Sequence, residues 1–367
     1  DFIDDAEKNM MIDADIRYPT KIFMAELFHF AKELKGWENY VTLSGKVKGK
    51  VGDLSITQGK IDYENTQTIE DIHITGLPDI EKTFFDIRAD SLITSASSIE
   101  KIPLYPFEKK EYIELPRQFK NVGIATFKGD IKGYYHQFKA KGILVSEIGD
   151  IQLNSLLSID SVTNDLKYSG NFKFIDFHFG KFFNQKNIGT LTADVWLNGD
   201  GTFFKTMKTS VQAKVQKFVF NNYAYKDIMI DINLDKRKLN GDISSADENA
   251  QINFSGLIDF DNKIPDMNFV ASIDKLNLTQ LHFVNDPRNG YLKGTLQLKL
   301  SGENIDDISG DINMNDVQYI TSDKIYFFSH PKIKLRQSND KHKTFYLHSD
   351  FIDLDIEGRF SLSDANY

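Results

Sequence analysis

Eight histidines stand at positions 29, 73, 136, 178, 282, 330, 342 and 348, and the first question is whether any of them share a metal ion. A zincin-type site needs two imidazoles one helical turn apart with a carboxylate between them, as in HExxH. No such spacing occurs, and His342 and His348 in "KHKTFYLH" read as a solvated strand edge. Asp353, Asp355 and Glu357 alternate with Ile352, Leu354, Ile356 and Gly358, which fits the wet face of a strand better than a calcium cage. SxxK occurs at Ser98 to Lys101 and at Ser272 to Lys275, without the SDN or KTG that a penicillin-binding-type serine requires. "GDG" at 199–201 lacks the third glycine and following helix of a dinucleotide loop, so it reads as a hairpin turn. No cysteine is present, which excludes disulfides, thiolate zinc sites and thiol catalysis. The expectation is a protein that is not an enzyme and needs no metal or cofactor.

Composition narrows the classes further. The 367 residues are 41% hydrophobic and 26% charged, globular values, and 29 Phe with 15 Tyr suit strands. A net charge of −9, with a pI near 5.4 and no basic stripe, makes nucleic acid an unexpected partner. No run of 18 uncharged apolar residues exists, and "DFIDDAEKNM" lacks a basic and then apolar leader. The abrupt start, and an end inside the strand-like "DIEGRFSLSDANY", lead us to expect a segment of a longer chain whose anchor lies outside these residues.

The elements that must position any site are strands. "LNGDISSADENAQINFSGLIDF", 239–260, alternates on both sides of a polar turn, and this predicts a hairpin with one oily face. The unit apolar–x–Gly–x–apolar recurs at Gly45, Gly49, Gly129, Gly133, Gly142, Gly170, Gly241, Gly256, Gly294, Gly310 and Gly358. Random placement would give roughly four such units, so the pattern is a property of the fold. Glycine weakens a strand, and its place on the oily face implies a bend or a close approach there. Irregular spacing between the units disfavours a β-helix of fixed rung length. Roughly 20 strands are expected after Tyr40, more than an open sheet holds without curling or splitting. One helix is expected, "TKIFMAELFHFAKELKG" at 20–36, with Phe23, Leu27, Phe30, Ala31 and Leu34 on one face, Thr20 as N-cap and Gly36 after the C-terminus. "PLYPFEKKEYIELP", 103–116, interrupts period two with three prolines and reads as a loop outside any groove. The expected divisions are a helical flank at 1–38, a first β segment at 39–102, a linker at 103–120 and a main β segment at 121–367.

The run from Tyr168 to Leu281, "YSGNFKFIDFHFG…IDKLNLTQL", resembles the TamB-like, Bacteroidota-type members of the AsmA-like superfamily of bridge-like lipid transfer proteins. Residues 74–102 and 115–154 are similar to the segments that precede it in that group, and the likeness spans about residues 40–300. It rests on glycine-spaced strand patterns. What it implies is a mainly β fold, a long curled antiparallel sheet forming an open β-taco groove with an apolar interior. It further implies a periplasmic protein of the Gram-negative envelope, anchored in the inner membrane, that conducts glycerophospholipids to the outer membrane. An outer-membrane barrel of the BamA/TamA type is the implied partner. The alternative is a translocation and assembly component that assists insertion of outer-membrane β-barrels by strand addition.

The side chains expected to line that groove are the apolar members of the alternating runs. They are Phe172 and Phe174, Val195 and Leu197, Phe218 and Phe220, then Ile228, Ile230, Ile232 and Leu234. Beyond them come Ile243, Ile252, Phe254, Ile258 and Phe260, followed by Leu296, Leu298, Leu300, Ile312 and Met314. A third reading, a polysaccharide-binding β surface, calls for tryptophan and carboxylates on the concave face. With 2 Trp in the chain, and Trp196 on the outward register beside Asp194, the pattern counts against that reading.

Overall fold

The computed structural model describes residues 10–29, 34–77, 79–134, 136–159, 165–201, 204–303, 306–337 and 342–361. The chain is mainly β. The described residues form 22 strands, paired antiparallel in an open order that does not close into a barrel. The chain divides into two units, residues 1–186 and 187–367.

Unit 1 is a meander of β1 (Met11–Phe23), β2 (Tyr40–Lys50), β3 (Asp53–Tyr63), β4 (Thr66–Thr75), β5 (Phe84–Ser95), β6 (Ile124–Tyr134), β7 (Gln137–Ser146), β8 (Gly149–Ile159) and β9 (Leu166–His178). Two helical turns, α1 (Ala96–Ile99) and α2 (Phe179–Phe183), interrupt it. Unit 2 runs through β10 (Ile188–Asp200), β11 (Lys208–Phe220), β12 (Tyr223–Tyr225), β13 (Ile228–Asp235), β14 (Lys238–Ala246), β15 (Ala250–Asp259) and β16 (Asp266–Leu276). It continues through β17 (Tyr291–Ser301), β18 (Ser309–Ile320), β19 (Ile325–Phe328), β20 (Lys332–Gln337), β21 (Lys343–His348) and β22 (Asp353–Gly358).

Local chemistry explains the meander. In β13, Ile228, Ile230, Ile232 and Leu234 are half-buried while Met229, Asp231, Asn233 and Asp235 are exposed, the alternation that a pleated strand imposes. Asn221 and Asn222, both at positive φ, close the tight turn between β11 and β12; Glu64 and Asn65 do the same between β3 and β4. Type I′ turns need φ above zero at both central residues, which asparagine tolerates. The hairpin at 239–260 is present as β14 and β15. Its turn is held by Asp247, 2% exposed, which accepts from the Tyr223 hydroxyl and from the backbone N–H groups of Lys226 and Asn249.

The expected helix at 20–36 is not formed over its described residues. Thr20–Phe23 belong to β1 and pair with Tyr40–Leu43, and a 3₁₀ segment spans Met24–His29. Residues 30–33, with Phe30 and Ala31, lie outside the described residues. The competing interaction is visible: the Phe23 ring lies 4.8 Å from that of Tyr40, and Lys21 Nζ sits 4.2 Å above the same ring. Ladder hydrogen bonds and aromatic packing outweigh the few tenths of a kcal/mol per residue of helix propensity. The 103–116 segment is a loop as expected, with one isolated bridge between Pro103 and Tyr112 and a 3₁₀ turn at Phe107–Lys109. Phe107 is buried and packs 4.9 Å from Trp37.

Candidate functional site

The register of unit 2 turns alternating strands into continuous apolar rows. In the middle row Leu197 faces Val211, Val211 faces Ile232, and the line passes through Gly241, Gly256 and Phe269. It continues through Leu298, Ile312, Ile333 and Leu347 to Leu354 at the β22 edge. A second row joins Val195, Ala213, Ile230, Ile243 and Phe254 to Ala271, Leu296 and Met314. A third carries Leu234, Leu239, Ile258, Met267 and Leu300 on to Leu335. The remaining expected residues of this unit fall on the same side: Phe218 opposite Leu191, Phe220 opposite Ile188, Ile228 opposite Val215 and Ile252 opposite Ile273. Phe260 follows β15 and meets the Phe204 ring at 5.2 Å.

These side chains touch mainly their ladder neighbours. The densest cluster, Ala193, Ala213 and Val215, gathers Leu191, Val195, Phe218, Ile228 and Ile230 from adjacent strands. Among the described residues each long strand packs on its neighbours in the ladder, and no helix is long enough to roof the sheet. Outside that cluster most of the row side chains stay only half-buried.

Two glycine positions show why the recurring motif sits on this side. A Cβ on Gly256 would lie 2.0 Å from the Phe269 ring and 2.6 Å from the Asn268 carbonyl oxygen, so the ring occupies the space that glycine leaves. That ring also packs 4.6 Å from Phe254, which keeps the row filled where one strand has no side chain. In unit 1, Gly129 faces Gly142, and a Cβ on Gly129 would stand 2.2 Å from the Lys141 carbonyl oxygen. There the two backbones approach too closely for any side chain.

Unit 1 has the same apolar side with a notch in it. Val47, Ile56 and Ile72 are 8% exposed and gather Ala14, Leu54, Ile74 and Ile87. The neighbouring row passes through Gly59, Glu70, Ala89, Gly129 and Gly142 before reaching Leu153 and Phe172. Glu70 is 6% exposed on this side, and burial pushes its carboxyl above the ordinary carboxylate range. At the same level the ladder slips in every pair from β1–β2 to β5–β6. Bulges in register bend strands locally, so this is a crease. Phe174 faces Ile151 and stands 5.5 Å from both Phe177 and Phe179, where α2 begins. Phe177, Phe179 and Phe182 continue that cluster to Phe119.

The reactive motifs are accounted for structurally. Ser98 sits in α1, capped by Ser95, while Lys101 Nζ pairs with Glu64 at 2.8 Å. His348 pairs with Asp353 and His342 with Glu357, all at exposed positions. Among the described residues no group of three His, Asp or Glu could hold a metal, and no helix is long and apolar enough to cross a membrane.

Three depressions of about 530–670 Å³ are lined chiefly by outward-register side chains, one in unit 1 and two in unit 2. Sequence reasoning missed the Glu70 notch, although Glu70 shares the parity of Ile72 and Ile74. Comparison with family models, curated proteins and solved structures returns no match.

Proposed function

We propose that the apolar side of each unit is a track for acyl chains, so that the protein carries glycerophospholipids as part of a bridge between the two membranes of a Gram-negative envelope. The observation that supports this is the in-register apolar rows of unit 2, half-exposed from β10 to β22 and uninterrupted by charge. A C16 tail gains about 0.8 kcal/mol per methylene on leaving water, so it crosses an aqueous gap only if an apolar surface accompanies it. Rows of similar side chains at about 4.8 Å per strand offer a tail nearly the same surroundings at each step, so it slides without a deep well. Headgroups remain in water at the open side. The chemistry is carriage, without bond-making; the proposal includes a periplasmic location, an inner-membrane anchor and an outer-membrane barrel as partner, as the resemblance implies.

The test is the content of the purified protein. Mass spectrometry of organic extracts from the detergent-free chain is expected to give phospholipid at near-stoichiometric amounts. Empty protein, or copurifying peptide in place of lipid, would overturn the reading.

A further inference from the structure

The side of unit 2 that faces away from the apolar rows carries a different chemistry from the corresponding side of unit 1. In unit 1 one outward row reads Lys48, Ser55, His73, Asp86, Lys132 and Lys139, mostly charged. In unit 2 the row through Trp196 reads Gln212, Asp231, Asp242, Ser255, then Val270, Gln297 and Asn313. From β10 to β18 this row has no cation; Lys332 on β20 continues it. One flanking row carries Asn198, Ser210 and Asn233, and the other Asp194, Lys214, Met229, Ser244, Asn253 and Ser272, with Lys214 outside the lining of the depression described next.

Trp196 and Met229 are 45% and 51% exposed here and border a depression of about 530 Å³ that no lysine or arginine lines. The two carboxylates, directly opposite each other on β13 and β14, are each engaged by a neutral donor: Gln212 Nε2 donates to Asp231 at 3.0 Å, and the Ser255 hydroxyl donates to Asp242. Each carboxylate keeps lone pairs to spare, because an ionised carboxylate accepts about four hydrogen bonds. Nothing in the lining compensates an anionic ligand.

We infer that this depression is a binding site for an uncharged oligosaccharide. An exposed indole offers a flat apolar plate for the C–H face of a pyranose ring, while carboxylates, primary amides and serine hydroxyls accept from and donate to ring hydroxyls. The strand spacing of about 4.8 Å is close to the repeat of a linked pyranose chain, so successive sugars lie over successive strands from β10 to β15. Tryptophan and carboxylates were expected on the apolar side for such a role; the structure gathers them on the opposite side. The polar side chains of the site belong to the register opposite the acyl-chain track, although Ala213, Ile230, Ile243 and Phe254 of that track also border the depression.

Isothermal titration of the full chain with cellohexaose, maltohexaose and the hexamer of N-acetylglucosamine tests the inference. At least one is expected to bind saturably, with affinity more than tenfold weaker in Trp196→Ala and partly retained in Trp196→Tyr, circular dichroism being unchanged. Leu298→Asp, on an apolar row and outside the lining of this depression, is expected to leave sugar binding intact, which separates this site from the lipid reading. Absence of binding by all three hexamers, equal binding by Trp196→Ala, or equal binding of a sulfated dextran would overturn it.

Discussion

Unit 1 and unit 2 use the same strands and turns to make two different apolar surfaces. In unit 2 the three rows stay in register because the slips of β10–β11, β15–β16, β16–β17 and β17–β18 fall beside them, towards one end of the strands, and at Gly256 the Phe269 ring fills the place. In unit 1 the ladder slips at one level in five strand pairs, and the row there holds glycines, Ala89 and the buried Glu70. The difference teaches that alternation sets which side is apolar, whereas bulges and glycine pairs decide whether that side is smooth or notched. On the proposed reading a tail would meet a uniform surface in unit 2 and a polar interruption in unit 1.

The largest effect is expected from giving unit 2 a charge of its own. Phe254→Asp places a carboxylate in the second apolar row, and a charge among acyl chains costs several kcal/mol. Lipid recovered with the protein is expected to fall more than tenfold while circular dichroism stays that of a β protein, because water can reach an uncovered side. Asn253→Asp, on the opposite register, is expected to change neither. Loss of folding in Phe254→Asp would show a closed core there and end the account of an uncovered surface.

The turn that aligns β14 with β15 comes next. Asp247→Ala leaves the Tyr223 hydroxyl and two backbone N–H groups without their acceptor, and a loss of about 3 kcal/mol in urea unfolding is expected. The same carboxylate contributes to the tyrosine's titration: burial first, and then the hydrogen bond to Asp247, push the Tyr223 hydroxyl up to about 12. The native state therefore holds this proton where the unfolded chain has lost it. Stability drawn from Tyr223 is complete below its ordinary value of 10.0 and fades as pH rises from there towards about 12. Asp247→Ala should flatten part of that alkaline decline.

Filling the smooth row is expected to cost less. Gly256→Val puts a Cβ against the Phe269 ring, which must turn away, and about 2 kcal/mol of stability is the expected loss. A thermal midpoint unchanged within a degree would show that the ring does not close the row.

The smallest effect sharpens the contrast from the other side. The raised carboxyl of Glu70 means that the folded state binds its proton more readily than the unfolded chain does, so between the ordinary value of 4.5 and the raised native value stability falls as pH rises. Above that window the penalty is constant. Glu70→Gln is expected to match the parent at pH 4 and to exceed it in urea unfolding at pH 8. Equal stability at both values would mean that the notch does not bury a charge.

Much of this was legible in the residues. Ile228 to Leu234 and Ile252 to Ile258 announce their buried side by parity alone, because a strand's side chains alternate without exception over a regular stretch. The turn between β14 and β15 was legible from its polar run, and Trp196 was correctly read as outward. The rows were not legible, since register between strands depends on bulges and loop lengths that alternation does not encode. The helix at 20–36 was misread because a convincing 3.6-residue spacing ends where Thr20–Phe23 join β2, a partner remote enough to be invisible in a local window. The depression at Trp196 needed five strands in register before its members came together.

The central claim is that the apolar rows are uncovered and carry acyl chains. It is tested most directly by placing a photoreactive benzoylphenylalanine in the full chain in cells, at Ile230, Phe254 and Leu298 in turn, and at the outward Asp231, Asn253 and Gln297. Phospholipid adducts at the first three positions and none at the second three are the predicted result. Adducts of equal yield on both registers, or protein adducts alone on the apolar one, would contradict it.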